Sequence, residues 1–143
     1  MARVLFCWEL GQGLGHLVRY RSLVGKLIEN GHEVFYLARD PDRVRRVNPQ
    51  AAIHIEQIHA EYSPPEQQIR QPQAASPATL LLNCGFASPS QLAARTRIWI
   101  ERIETIAPDY IISDHSPTAV FANRFLNYPI VIAGNGFTAI TIG

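Results

Sequence analysis

Short apolar runs alternate along this chain with stretches in which apolar residues recur every three or four positions. The runs are RVLFCW at 3–8, HEVFYLA at 32–38, AIHIEQI at 52–58, DYIISD at 109–114 and IVIAG at 130–134. Their length and their β-branched and aromatic content predict strands, and RVLFCW, closed by a glycine-rich loop, reads as a buried parallel one. Between 17 and 29, Leu17, Tyr20, Leu23, Val24, Leu27 and Ile28 fall at helical spacing, and Gly31 ends that helix just past Asn30. PDRVRRV at 41–47 predicts a short helix with Asp40 as cap and Pro41 at its first position. SPSQLAARTRIWIERIETIA at 88–107 predicts a longer one, with Leu92, Trp99, Ile103 and Ile106 on one face. SPTAVFANRFLN at 116–127 predicts a last one, with Ser116 as cap and Pro117 opening it. ATLLLNCG at 78–85 has no decisive period, but Pro77 before it and Gly85 at its end favour a helix. Residues 63–77, SPPEQQIRQPQAASP, hold four prolines and four glutamines with no apolar period, which predicts a long flexible loop.

Strand and helix thus alternate throughout, with no internal repeat. The fold class is α/β: a doubly wound, Rossmann-like parallel sheet with helices on both faces. The 143 residues suffice for one domain with a real core. Composition, at 47% hydrophobic and 17% charged residues, is that of a soluble globular protein. A net charge of +1 offers no bulk attraction to nucleic acid or an anionic membrane. The cluster Arg43, Arg45 and Arg46 reads as a solvated helix face, with a lipid-headgroup contact as the lesser alternative. Cys7 and Cys84 are far apart, and Cys7 lies in an apolar run, so a reducing cytoplasm is the expected compartment. The start, MARVLFCWEL, lacks the pattern of a signal peptide, and no apolar run approaches membrane-spanning length.

Candidate chemistry gathers at two strand ends. In a sheet of order 3-2-1-4-5, strands 1 and 4 are neighbours, and ligands bind in the crevice at their carboxyl ends. The first strand runs into ELGQGLGHLVRY, residues 9–20, which carries Gly11, Gly13, Gly15 and His16; the fourth ends at Asp114. Adjacent strands lie about 4.8 Å apart, so His16 and Asp114 are expected at one crevice. A neutral imidazole can accept a proton from a hydroxyl, while a carboxylate on its other nitrogen fixes the tautomer and stabilises the imidazolium. A helix starting at Leu17 would favour the neutral ring, and Asp114 the charged one. The bland alternatives are a packed histidine at a helix start and an aspartate that caps the next helix.

Other motifs compete less well. A dinucleotide loop, G-x-G-x-x-G, is matched by Gly11 and Gly13, but His16 stands where the third glycine belongs. Asp40 or Arg39 near the end of the second strand could then read a ribose or its 2′-phosphate. Around Lys26, Tyr20 and Leu27 occupy positions that a P-loop reserves for Gly and Ser or Thr. HIEQIH at 54–59 lies on a predicted strand with the wrong spacing for a zinc helix, and no metal site is expected. SDH at 113–115 is no triad, since adjacent residues of an extended chain point to opposite faces. There is no G-x-S-x-G, and Trp8 and Phe137 read as core or pocket wall.

GQGLGHLVRYRSLVGKLIENGHEVFYLA resembles the opening of GT-B glycosyltransferases: strand, glycine loop, Gly-His, helix, then a GHEV strand. APDYIISDHSPTAVFANRFLNYPIVIAGNGF is similar to a second block of that family. Together they span 3–38 and 107–137, leaving the middle unmatched. The resemblance implies the N-terminal, acceptor-side half of a GT-B architecture. It implies inverting sugar transfer from a nucleotide-sugar to a small-molecule or lipid acceptor hydroxyl, without metal or other cofactor. On it, His16 is the general base and Asp114 its orienting acid. Gly11, Gly13 and Gly15 let backbone amides approach a ligand; His115, Ser116, Asn135 and Phe137 are candidates to line the acceptor pocket on their position alone. Arg19 and Arg21 depart from the family pattern, as does the lack of a proline soon after the Gly-His pair. Such enzymes hold the donor nucleotide in a second α/β domain, so these 143 residues alone are expected to be inactive. A nucleotide- or dinucleotide-binding module and a non-catalytic remnant are the alternatives.

Overall fold

The computed structural model describes residues 1–11, 13–49, 51–58, 78, 81–82, 86 and 88–134. Five strands form one parallel sheet: β1 (Arg3–Trp8), β2 (Glu33–Ala38), β3 (Ile53–Gln57), β4 (Tyr110–Asp114) and β5 (Ile130–Ala133). Their order is β3-β2-β1-β4-β5, as expected of a doubly wound fold. The helices are α1 (Gly15–Val18), α2 (Arg21–Glu29), α3 (Pro41–Val47), α4 (Pro89–Ile106) and α5 (Pro117–Leu126).

β1 lies at the centre and every residue after Arg3 in it is buried. Because successive side chains alternate faces, it feeds two cores. Val4, Phe6 and Trp8 join Leu17, Val24, Tyr36, Val44 and Val47, so α1, α2 and α3 cover that side. Leu5 and Cys7 join Trp99, Ile103, Ile106, Ile111 and Ala122, so α4 and α5 cover the other. Each fully buried aliphatic side chain in these layers contributes roughly 1.5–3 kcal/mol. Burial, and secondarily the charge of Glu9, pushes the Cys7 thiol far up and leaves it a packed, unreactive group.

The helix expected over 17–29 is two pieces. The Tyr20 amide donates to the Leu17 carbonyl at 3.1 Å, three residues back rather than four, and the chain tightens there before α2 begins. Gly31 closes α2 with φ +79, as its position suggested. Asp40 caps α3 through the Arg43 amide at 3.2 Å, again as expected. Within 78–85, Ala78, Leu81 and Leu82 are helical; the rest of that segment and the whole 63–77 loop lie outside the described residues. Arg45 of the basic cluster pairs with Asp42 at 3.4 Å on an exposed face. No described helix is long and apolar enough to cross a membrane.

Candidate functional site

The β1–β4 register sets Trp8 beside Asp114, and the pairing continues one step further, with the Leu10 amide donating to the His115 carbonyl at 2.8 Å. The two loops therefore leave the sheet side by side. The first turns at Gly11, whose φ of +90 is a conformation that side chains resist. The Arg39 guanidinium holds this turn from β2, donating to the Gly11 carbonyl at 3.2 Å. The Trp8 indole steadies it from below, donating to the Leu10 carbonyl at 2.8 Å. Trp8 is therefore core rather than pocket wall, only 2% exposed.

His16, the second residue of α1, lies across from the end of β4. Its Nδ1 is 3.2 Å from Asp114 Oδ2, between residues 98 positions apart. The histidine side chain is 16% exposed and the aspartate 4%, so the acid is out of water while the ring reaches the surface. A carboxylate only accepts, so in the neutral ring Nδ1 carries the proton and Nε2 presents its lone pair. Nε2 faces Gly11: a Cβ there would lie 2.7 Å from it. The glycine thus serves the histidine as well as the turn. Gly13 and Gly15 are exposed, and a Cβ on Gly15 would meet nothing within 4 Å. With only four residues in α1, and His16 inside it, the helix-end field on the ring is weaker than a long helix starting at Leu17 would supply.

Behind Asp114 the site is polar and dry. Its Oδ1 is buried without a hydrogen-bond partner, as are the hydroxyls of Tyr20 and Tyr36. Burial first, and then the Asp114 charge, push the Tyr20 phenol up, so it remains a neutral hydroxyl beside the carboxylate. His115 takes a left-handed backbone at φ +47 and sets its ring edge-on to His16, centroids 4.4 Å apart. His16, Asp114 and His115 each offer one ligand atom, all within 4.8 Å of one another, and are thus a set that could hold a metal ion.

Ser116 holds the cap position of α5, but its hydroxyl makes no cap bond and is buried without a partner. The capping is done by Glu9. Its carboxylate accepts the Thr118 amide at 3.0 Å and the Thr118 hydroxyl at 2.5 Å, placing an acid at the positive end of the helix. Burial raises the Glu9 pKa, against the lowering effect of the Thr118 bonds and Arg95. Sequence reasoning passed over Glu9. The available signal was a lone acid closing the apolar run RVLFCW just before the glycines. Asn135 and Phe137, expected to line the acceptor pocket, lie outside the described residues. Asp40, the ribose-reading residue of the dinucleotide alternative, is engaged with the Arg43 amide and with Arg43 Nε at 3.0 Å.

No protein-family model and no curated protein matches the chain. Solved structures do. CalG4, the calicheamicin glycosyltransferase, matches 96% of this chain over 33% of its own length, at 21% identity and TM-score 0.63. MurG of Acinetobacter baumannii matches 94% of the chain over 35% of its own, at 20% identity and TM-score 0.63. The spinosyn rhamnosyltransferase SpnG, in complex with thymidine diphosphate, matches 92% over 34%, at 19% identity and TM-score 0.58. The chain has a GT-B glycosyltransferase-like fold. This GT-B-like domain spans about a third of the length of the CalG4, MurG and SpnG chains. The His16–Asp114 pair sits at its β1–β4 crevice, where open α/β sheets bind ligands.

Proposed function

We propose that this GT-B-like domain is the N-terminal, acceptor-binding part of an inverting glycosyltransferase. His16 Nε2 takes the proton from an acceptor hydroxyl as that oxygen displaces the nucleotide diphosphate at the anomeric carbon of the donor sugar. Asp114 orients the ring and stabilises the imidazolium as it forms. A second α/β domain holds the nucleotide part of the donor, and the 143 residues alone lack transferase activity. The acceptor is a small molecule or lipid carrying a hydroxyl, and the reaction needs no metal.

The observation that carries this reading is the 3.2 Å contact between His16 Nδ1 and Asp114 Oδ2, with Nε2 facing a residue that has no side chain. A carboxylate on Nδ1 of a ring that reaches the surface is the arrangement that readies the other nitrogen to take a proton. The solved structures of similar fold support the general chemistry, since SpnG binds thymidine diphosphate and a Siraitia grosvenorii transferase binds UDP. In the protein carrying both domains, His16→Ala is expected to lower turnover about a hundredfold or more, the usual scale for a general base, while donor binding persists. Unchanged turnover would sink the assignment.

A further inference from the structure

The geometry points to a zinc-class cation site formed by His16, Asp114 and His115, which switches the histidine off as a base when it fills. Three observations carry it. The set supplies two imidazoles and a carboxylate, donors suited to Zn²⁺ rather than to Mg²⁺ or Ca²⁺. The spacing is close to that of a coordination shell: tetrahedral ligands on bonds of about 2.0–2.1 Å stand about 3.3–3.4 Å apart, and His16 Nδ1 and Asp114 Oδ2 are 3.2 Å apart. Finally, the Asp114 side chain is 4% exposed and its Oδ1 has no hydrogen-bond partner, and a carboxylate kept from water with so little hydrogen bonding is favoured by a cation on its other oxygen.

His115 completes the set. All the ligand atoms lie within 4.8 Å of one another, with the His115 ring edge-on to that of His16. Three protein ligands leave one position open for water, the pattern of an accessible rather than a sealed site.

The consequence follows from the tautomer. A cation between Nδ1 and Oδ2 takes the place of the proton there, and the neutral ring then carries its proton on Nε2. That nitrogen no longer has a lone pair for an acceptor hydroxyl. This last step rests on the proposed base role of His16; the binding itself does not.

The test is a titration of the whole chain after chelator treatment. Cobalt(II) serves as the coloured probe in absorption, and Zn²⁺ is measured by calorimetry. The expected result is one equivalent bound, with the visible bands of low-coordinate cobalt bleached by zinc. Nitrogen NMR of the histidines should show the His16 proton moving from Nδ1 to Nε2. His115→Ala and His16→Ala, checked for native circular dichroism, should each weaken binding about tenfold or more. His54→Ala, on β3, should leave it unchanged. Failure to saturate at one equivalent overturns the site. So does binding that survives His115→Ala or vanishes in Cys84→Ser. Because the readout is binding, its failure leaves the transferase proposal standing, and unchanged turnover in His16→Ala would sink the base role without bearing on the metal.

Discussion

Asp40 and Asp114 occupy equivalent places, one at the end of β2's turn and the other at the end of β4. Each precedes a helix whose first residue is a proline, Pro41 or Pro117. Their fates differ. Asp40 stays 39% exposed, caps its own helix and pairs with Arg43. Asp114 is 4% exposed, does no capping, and gives one oxygen to a histidine from another strand's loop. The difference lies in who does the capping. At the second position Glu9 reaches across from β1 and takes over the end of α5, leaving Asp114 for other work. An acid at a strand end is the default cap of the next helix; one relieved of that duty and kept dry is a candidate for chemistry.

The largest effect expected from breaking this contrast comes at Asp114. In the proposed two-domain protein, Asp114→Asn should cut turnover between about a hundredfold and ten-thousandfold, because the amide can donate to Nδ1 and leave the proton on the wrong nitrogen. Steady-state kinetics check this, and a variant as fast as the parent would reduce Asp114 to a structural residue like Asp40.

Glu9 comes next. Glu9→Ala strands the Thr118 amide and hydroxyl in the interior and should cost about 1–3 kcal/mol, read from urea unfolding. Its raised pKa also sets a sign. The folded chain holds the Glu9 proton more tightly than the unfolded one. That stabilisation is complete below the ordinary glutamate range and is lost as pH rises from there towards the raised folded value. Stability followed across that window should fall more gently in Glu9→Gln; identical slopes in the two proteins would refute the assignment.

The smallest effect belongs to Asp40. Asp40→Ala should cost about 1 kcal/mol for the lost cap, with little added by the exposed pair to Arg43. Turnover should not change. A calorimetric signal for NAD(P) that this substitution abolished would break the comparison and favour the dinucleotide alternative.

The fold was largely legible in the residue pattern. Every described strand falls within one of the predicted runs, α3 and α5 begin where Pro41 and Pro117 announce them, and α4 lies within the expected 88–107. The site was half legible. Its two principal residues, His16 and Asp114, follow from loop position and sheet order. Three details did not. The break before α2 depends on the Tyr20 amide choosing the Leu17 carbonyl. Ser116, a good cap by type, is displaced by an acid 107 positions earlier in the chain. Of three loop glycines, only Gly11 combines a positive φ with an approach to the His16 ring that a Cβ would block.

Sequence by itself determined the alternation of strands and helices, because burial of one face imposes a period that each short segment carries alone. It also placed a histidine and an acid at neighbouring strand ends once the sheet order was granted. Tertiary structure decided which acid caps, which acid is kept from water and which way the imidazole points. Those outcomes depend on hydrogen bonds between residues about a hundred positions apart, such as Thr118 to Glu9 and His16 to Asp114. No local period encodes such a bond; it exists only after β1 and β4 have paired in one register.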